Sequence, residues 1–186
     1  MDNLANISEV HSGQRQPRFS GVVKIKLLDP SKMSGEEMND LWRKISTQDY
    51  AFDDFTRGSA QAFVLNLVEA ASFHFLVNGA AYVVAKNVYP DSDTSIHFIS
   101  WDKNFPIGSV VEAGRQVLEW LFREQRVHRI TGYIAKFNTS ATRFASAMGF
   151  KYEGTLRKSL KTHGVFHDVD IYGMLSREFE RRFGNG

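Results

Sequence analysis

The chain of 186 residues contains no cysteine, which excludes a disulfide framework, a thiolate metal site and a cysteine nucleophile. Its apolar runs fall far short of the ~20 residues that a membrane-spanning helix needs. The N-terminus also lacks the apolar region of a signal peptide. We therefore expect a cytoplasmic protein without a metal site and without a membrane partner.

No sign of charge dominates the sequence, because 23 basic residues face 21 acidic ones and leave a net charge of +2. The basic residues are spread along the chain, which argues against a dedicated nucleic-acid-binding module. The 42% hydrophobic content and 15 phenylalanines suit the core of one globular domain. Residues 1–20 are polar and aperiodic, so we expect a flexible N-terminal tail followed by a single domain over residues 21–186.

Local signals predict the order of helices and strands. Ser34 with Glu37 forms a capping box that predicts a helix over residues 35–46, and Ser59 caps a second helix. Alternating or β-branched segments predict strands at 22–28, 73–77, 80–88, 95–101 and 129–135, and a hairpin of two strands follows residue 150. Helical periodicity predicts a long helix from Gly108, a helix over 139–148 and a short C-terminal helix over 176–182.

Turn residues and connections then predict which strands are neighbours in the sheet. Asn78-Gly79 predicts a hairpin between the second and third strands, and Gly149 predicts a left-handed helix stop. The strand, long helix and strand up to residue 135 require a right-handed parallel crossover. The fold class is therefore a mixed α/β sheet.

The segment after residue 137 carries a punctuated series of residues: Asn138, Phe144, Met148, Gly149-Phe150, Glu153-Gly154-Thr155-Leu156-Arg157, Gly164 and Asp168. This series resembles the C-terminal half of the GNAT acyltransferases, especially the branch that acetylates protein N-termini and polyamines. The resemblance implies the GNAT fold, with the order β-α-α-β-β-β-α-β-α-β-β, and acetyl-CoA (coenzyme A) as cofactor. It implies acetyl transfer by direct attack in a ternary complex, with a protein N-terminus, a lysine or a small polyamine as acceptor. A homodimer remains open.

The resemblance assigns coenzyme phosphates to the loop that enters the long helix. A helix N-terminus offers free amides and a favourable dipole to a pyrophosphate. Lys103, Ile107, Gly108 and Ser109 are the candidates here. Pro106 replaces a customary glycine and removes one N–H donor, so we expect weaker or re-routed binding. The alternative is a loop that simply begins a helix.

Two further residues match coenzyme-binding positions of the family. Asn138 would hold the pantetheine arm, and Arg143 would reach a phosphate. Alternatively, Asn138 only caps a helix and Arg143 is a solvated surface charge.

The chemistry requires a neutral amine and a proton for the departing thiolate. His97 is the candidate base because we expect it to titrate near pH 7, with Asp102 as a weaker substitute. Ser140 and Tyr133 are candidate acids, and a water is the other option. The resemblance places the oxyanion against a backbone N–H between residues 99 and 101, where the strand of the family bulges.

The acidic and aromatic linker over residues 47–58 is the candidate acceptor site. Tyr50, Asp53 and Asp54 could attract a cationic amine, although a flexible loop with a hydrophobic anchor is the alternative. Gly164 and Asp168 are expected to shape the last hairpin. A second class of function also stays open: Pro106, Ala141 and Ala145 lack groups that the family uses, which favours a catalytically impaired GNAT-fold binding or structural protein.

Overall fold

The computed structural model describes residues 23–69, 71–102, 104 and 106–184. The predicted tail over residues 1–20 lies outside this range. The strands are β1 (Ile25–Leu28), β2 (Phe73–Val77), β3 (Ala81–Lys86), β4 (Asp93–Ser100), β5 (Arg129–Ala135), β6 (Lys151–Thr162) and β7 (Val165–Leu175). The helices are α1 (Gly35–Ser46), α2 (Asp54–Arg57), α3 (Ala60–Leu67), α4 (Ile107–Glu119), α5 (Thr139–Met148) and α6 (Ser176–Phe183). A 3₁₀ turn covers Pro30–Lys32, and α4 continues into a π-helical turn over Trp120–Glu124.

The seven strands form one sheet in the order β1-β2-β3-β4-β5-β7-β6. The pairing of β4 with β5 is parallel, and the other described neighbours pair in antiparallel fashion. This parallel pair is the product of the crossover through α4, so the predicted mixed sheet and GNAT-type order are confirmed.

Several local predictions are confirmed residue by residue. Ser34 accepts the amide of Glu37 at 3.2 Å, and the Glu37 carboxylate accepts the Ser34 amide at 2.7 Å, so both bonds of the capping box form. Gly149 ends α5 with φ of +96°, and Gly79 turns the β2–β3 hairpin with φ of +68°. These signals are local, which is why the sequence alone reveals them.

Several predicted bounds needed correction. β3 covers Ala81–Lys86, where the prediction ran over 80–88, and α4 begins at Ile107, one residue before the predicted start at Gly108. The first strand begins at Ile25, and the predicted start at residue 22 lies outside the described residues. β4 begins at Asp93 and ends at Ser100, where the prediction ran over 95–101. The predicted linker contains the additional one-turn helix α2, because the Asp53 side chain accepts the Thr56 amide at 2.8 Å and caps it.

The sheet separates two apolar clusters. α4 and the π-helical turn after it pack on one face through buried Val117 and Leu121, and α1 and α3 pack on the other through Ile45 and Phe63. Gly114 of α4 allows close packing with α5, since a methyl group there would lie 2.7 Å from the Phe144 ring. Among the described helices, none combines the length and the apolar character needed to cross a membrane.

Candidate active site

The centre of the sheet opens between β4 and β5. Their parallel pairing runs from Asp93 opposite Arg129 to Ile96 opposite Gly132 and then ends, although both strands continue. A cavity of about 290 Å³ lies at this divergence. It is lined by residues of both strands and of the loop after α1, of α4, α5 and β7, so every layer of the fold contributes to one cleft.

The exposed edge of β4 directs backbone donors into this cleft. The Trp101 amide donates to the Ala80 carbonyl on the β3 side, at 3.2 Å. Because donors alternate along an antiparallel ladder, the N–H groups of Phe98 and Ser100 point the other way, toward β5. The Ser100 carbonyl accordingly accepts the Tyr50 hydroxyl at 3.3 Å.

The strand geometry shows which amides of the predicted range 99–101 face the cleft. The β3–β4 register is continuous from Ser95 to Ser100, so no bulge re-aims the strand. Alternation then directs the amides of Ile99 and Trp101 to β3, and of the predicted range 99–101 only Ser100 faces the opening. The amide of Phe98, which lies outside the predicted range, faces the opening as well.

The N-terminus of α4 lies at the mouth of the cleft. Pro106 is the N-cap residue, and its carbonyl accepts the amides of Ser109 at 2.9 Å and Val110 at 3.1 Å. Ile107 and Gly108 are the first two helical residues, whose amides have no intrahelical acceptor. A methyl group on Gly108 would meet nothing within 4 Å, so the space beside its Cα is open.

These features suit an anion, and they reduce the set of predicted phosphate-binding residues. Ile107 and Gly108 retain free donors, whereas the amide of Ser109 is used within the helix. Pro106 contributes no N–H, as expected. Lys103 lies outside the described residues.

Asn138 caps α5 and also lies at the cleft. Its Oδ1 accepts the Ala141 amide at 3.1 Å, so it caps α5. It also lines the cleft, and the cap does not use the two donors of its side-chain amide. Arg143 is exposed one turn further along α5 and does not belong to the described lining, so the structure does not bring it to the cleft.

His97 and Tyr133 lie together on one wall of the cleft. Their rings stack with centroids 6.5 Å apart and an interplanar angle of 23°, and Tyr133 is 42% exposed. Burial, with a smaller contribution from the positive charge of Lys86, lowers the pKa of His97 to about 4. The expectation that His97 titrates near pH 7 was therefore wrong, and the imidazole is neutral there.

The two candidate acids lie on different elements, Ser140 on α5 and Tyr133 on β5. Ser140 is exposed at the start of α5 and lines the cleft, as Tyr133 does. Ala141 and Ala145 also line it, and they offer no hydroxyl. Ser140 and Tyr133 are thus the hydroxyl candidates that the structure brings to the same cavity.

The acceptor candidates separate into two groups. Tyr50 lines the cleft, and burial raises the pKa of its hydroxyl. Asp53 caps α2, while Asp54 accepts the amides of His163 at 2.6 Å and Gly164 at 2.9 Å. Neither carboxylate belongs to the described lining, so the structure gives both of them structural roles.

Arg57 forms hydrogen bonds with the backbone of the same linker, a role that sequence analysis missed. Its guanidinium donates to the carbonyls of Ser46, Gln48, Asp49 and Phe52 and to the hydroxyl of Thr162, at 2.8–3.4 Å. Its side chain is only 18% exposed. We call this set the Arg57 clasp. It joins the cleft wall that carries Tyr50 to the tip of the β6–β7 hairpin.

The tip is shaped as expected. Gly164 has φ of +75°, and Asp168 accepts the Lys158 amide at 3.0 Å. No local sequence pattern predicts the clasp, because Arg57 and Thr162 are 105 residues apart in sequence.

The model of the acetyltransferase (GNAT) domain matches residues 111–170. The probable N-acetyltransferase YjcK of Bacillus subtilis is 32% identical over 74 residues, which cover 40% of this chain and 41% of that protein. The putative ribosomal N-acetyltransferase YdaF of the same organism is 30% identical over 73 residues, 39% of this chain and 40% of that protein. The matched segments thus span about two fifths of these relatives.

Solved structures resemble the whole domain. A variant of the spermidine N-acetyltransferase SpeG from Vibrio cholerae has a TM-score of 0.68 at 14% identity, covering 86% of this chain and 97% of that one. A GNAT-family acetyltransferase from Bacillus anthracis has a TM-score of 0.58 at 20% identity, covering 84% and 96%. At such identities the likeness establishes the fold. With the domain match over residues 111–170, the comparisons show that the chain is similar to GNAT N-acetyltransferases.

Proposed function

We propose that this protein transfers an acetyl group from acetyl-CoA to a primary amine, by direct attack of the amine within a ternary complex. The observation that carries the proposal is the divergence of β4 and β5 after Ile96 and Gly132, which leaves a cleft between the N-terminus of α4 and the opposite sheet face. Bound acetyl-CoA supplies the acyl carbon: a C–N bond forms, the C–S bond breaks, and the thiol is released.

The residues of the chain would divide the work along this cleft. The free amides of Ile107 and Gly108 suit the phosphates. The side-chain amide of Asn138 can donate to a carbonyl of the pantetheine arm while its oxygen caps α5. The amides of Phe98 and Ser100 point to the region where negative charge would develop on the acetyl oxygen.

Proton movement involves the wall formed by His97 and Tyr133. A lysine-type amine with a pKa of about 10.4 is almost fully protonated at neutral pH, so the amine must lose a proton before it attacks. Neutral His97 can accept a hydrogen bond from the amine, but its lowered pKa makes it a weak base. Most of the free-energy cost of deprotonating the amine is therefore met in solution or through a water. Tyr133 or Ser140 can then donate a proton to the departing thiolate.

A catalytically impaired binding protein is the second candidate. Pro106 at the N-cap of α4 and the alanines at positions 141 and 145 in the cleft favour it. Such a protein would bind the coenzyme or an amine without turnover.

The variant Asn138→Asp tests the proposal on this chain's own geometry. Aspartate retains the oxygen that caps α5 but removes both N–H donors and adds a negative charge. We expect unchanged thermal stability and a KM for acetyl-CoA raised about tenfold or more, equivalent to ~1.4 kcal/mol, in a free-thiol assay. A KM equal to that of the wild type would remove Asn138 from the coenzyme site. Absence of thiol release with any amine would favour the binding protein.

A further inference from the structure

Tyr172 of β7 places a phenolic hydroxyl at the cleft. The residue belongs to the cleft lining and is only 7% exposed. Among the described residues, none forms a hydrogen bond with this hydroxyl, and the hydroxyl is not one of the fully buried polar atoms that lack a partner. The oxygen is therefore accessible. Since the residue lines the cleft, a molecule bound there can reach it.

The register of the sheet shows which face Tyr172 occupies. β5 and β7 pair Ile130 with Met174 and Gly132 with Tyr172. Ile130 and Met174 are buried in the cluster on the α4 face of the sheet. Side chains alternate along a strand, so Tyr172, two residues before Met174, points to the same face. This face carries α4 and α5, where the proposed coenzyme lies.

The two hydroxyls considered so far are less well placed for the leaving group. Tyr133 follows Gly132 on β5 and therefore points to the opposite face, where its ring stacks on His97. Ser140 is exposed at the start of α5. The sulfur stays with the coenzyme when the C–S bond breaks, so a proton donor on the coenzyme face has the shorter path to it.

Open space lies beside Tyr172 at the point where the strands diverge. Gly132 is the last residue of β5 that pairs with β4, and a methyl group on it would have one neighbour, the Tyr172 carbonyl oxygen at 4.0 Å. Ala141 and Ala145 line the same cavity from α5 and fill little of it. A thioester that enters between the strands therefore meets small side chains on the helix and a phenolic hydroxyl on the sheet.

We propose that Tyr172 is the catalytic residue that donates a proton to the departing thiolate. This inference rests on the proposed acetyl transfer. As the tetrahedral intermediate collapses, the C–S bond breaks, the sulfur keeps the bonding electron pair, and the phenolic proton passes to the sulfur. The attacking nitrogen carries a surplus proton, which it loses through water to the phenolate. The tyrosine then returns to its starting state.

Tyr172→Phe tests the proposal, because it removes the hydroxyl and keeps the ring. Tyr152→Phe is the matched control. The Tyr152 ring packs edge-on against Tyr172 with centroids 5.7 Å apart, and its hydroxyl lies 2.8 Å from Thr155 Oγ1, away from the described cleft lining. Thiol release is measured at saturating acetyl-CoA with n-hexylamine, spermidine and tetra-alanine, and the fastest acceptor of the wild type is used for all variants.

The expected result is a loss of turnover without a loss of binding or stability. In Tyr172→Phe, kcat should fall about tenfold or more, while KM for acetyl-CoA should change less than about twofold. Its Tm should stay within about 2 °C of the wild type, because the hydroxyl has no partner among the described residues. Tyr152→Phe should retain kcat within about twofold. A smaller loss of kcat in Tyr172→Phe, or a larger decrease in its Tm, would overturn the inference.

The pH profile separates a proton donor from a hydroxyl that only shapes the cleft. An essential acid gives kcat a descending limb at alkaline pH. This limb should occur in the wild type and in Tyr152→Phe and be absent from Tyr172→Phe. A limb that persists in Tyr172→Phe would assign the proton to another group and overturn the inference.

Failure of the proposed function has a different signature. A wild type that releases no thiol with any of the three amines contradicts acetyl transfer, and the inference falls with it. A wild type that turns over, with a Tyr172→Phe variant that keeps its kcat, contradicts the role of Tyr172 alone.

Discussion

Replacement of Arg57 by alanine tests how the cleft wall that carries Tyr50, the proposed acceptor wall, is held in place. The side chain is mostly buried and donates to four backbone carbonyls and to Thr162, so the variant loses several charge-assisted hydrogen bonds at once. Hydrogen bonds to a charged group contribute ~1.5–3 kcal/mol, and water can replace some of them in this loop. We expect a loss of about 3 kcal/mol, which lowers Tm by roughly 6–12 °C in a domain of this size.

The same variant should affect the two substrates unequally. The Arg57 clasp supports the wall that carries Tyr50 and Ala51, while the proposed coenzyme side of the cleft belongs to α4 and α5. KM for the amine should therefore rise more than tenfold, and KM for acetyl-CoA should change less than twofold. Arg57→Lys retains the charge but reaches fewer carbonyls, so its Tm and KM should be intermediate.

Calorimetry or circular dichroism gives Tm, and thiol release gives both KM values at a temperature where each variant is folded. A Tm within 1 °C of the wild type would refute the structural role of the clasp. Equal increases in the two KM values would refute its specific link to the acceptor wall.

Three further predictions follow from the cleft and its helices. Gly108→Ala should weaken binding of coenzyme A several-fold in a calorimetric titration without lowering Tm, because its methyl group meets no protein atom but would stand beside the amides proposed to bind phosphate; Gly35→Ala, also in open space at a helix start, is the matched control and should bind normally. Gly114→Ala should lower stability by about 1–2 kcal/mol in urea unfolding, since its methyl group would collide with the Phe144 ring, and a stabilised variant would contradict the packing. For His97, the folded pKa of about 4 lies below the ordinary value of 6.5, so the stability that the neutral ring contributes is fully present above pH 6.5 and is lost toward pH 4. The stability difference between wild type and His97→Gln should change by at most about 3 kcal/mol across that window, and a flat difference would show that His97 is not desolvated.

Local signals revealed most of the fold. The capping box of Ser34 and Glu37, the Asn78-Gly79 turn and the left-handed Gly149 each depend on residues that are neighbours in sequence. The predicted helix bounds 35–46 and 139–148 and strand bounds 73–77 and 129–135 match the structure for this reason. The helix α2 was missed because a single turn has too few residues to show a period.

The site was less accessible to sequence reasoning. The divergence of β4 from β5 depends on where pairing stops, at Ile96 and Gly132, and no residue type marks that point. Asp54 suggested an acceptor site by its charge, yet it binds the Gly164 amide 110 residues away. The pKa of His97 depends on packing from several elements, so its identity alone gave the wrong titration range.

The most direct test of the account is a calorimetric titration of the wild-type protein with acetyl-CoA. The cleft between β4 and β5 predicts one saturable site per chain, with a dissociation constant below about 1 mM, in the range of ordinary enzyme substrates. Neither heat nor an increase in Tm at millimolar acetyl-CoA would contradict the central claim that this cleft holds the coenzyme.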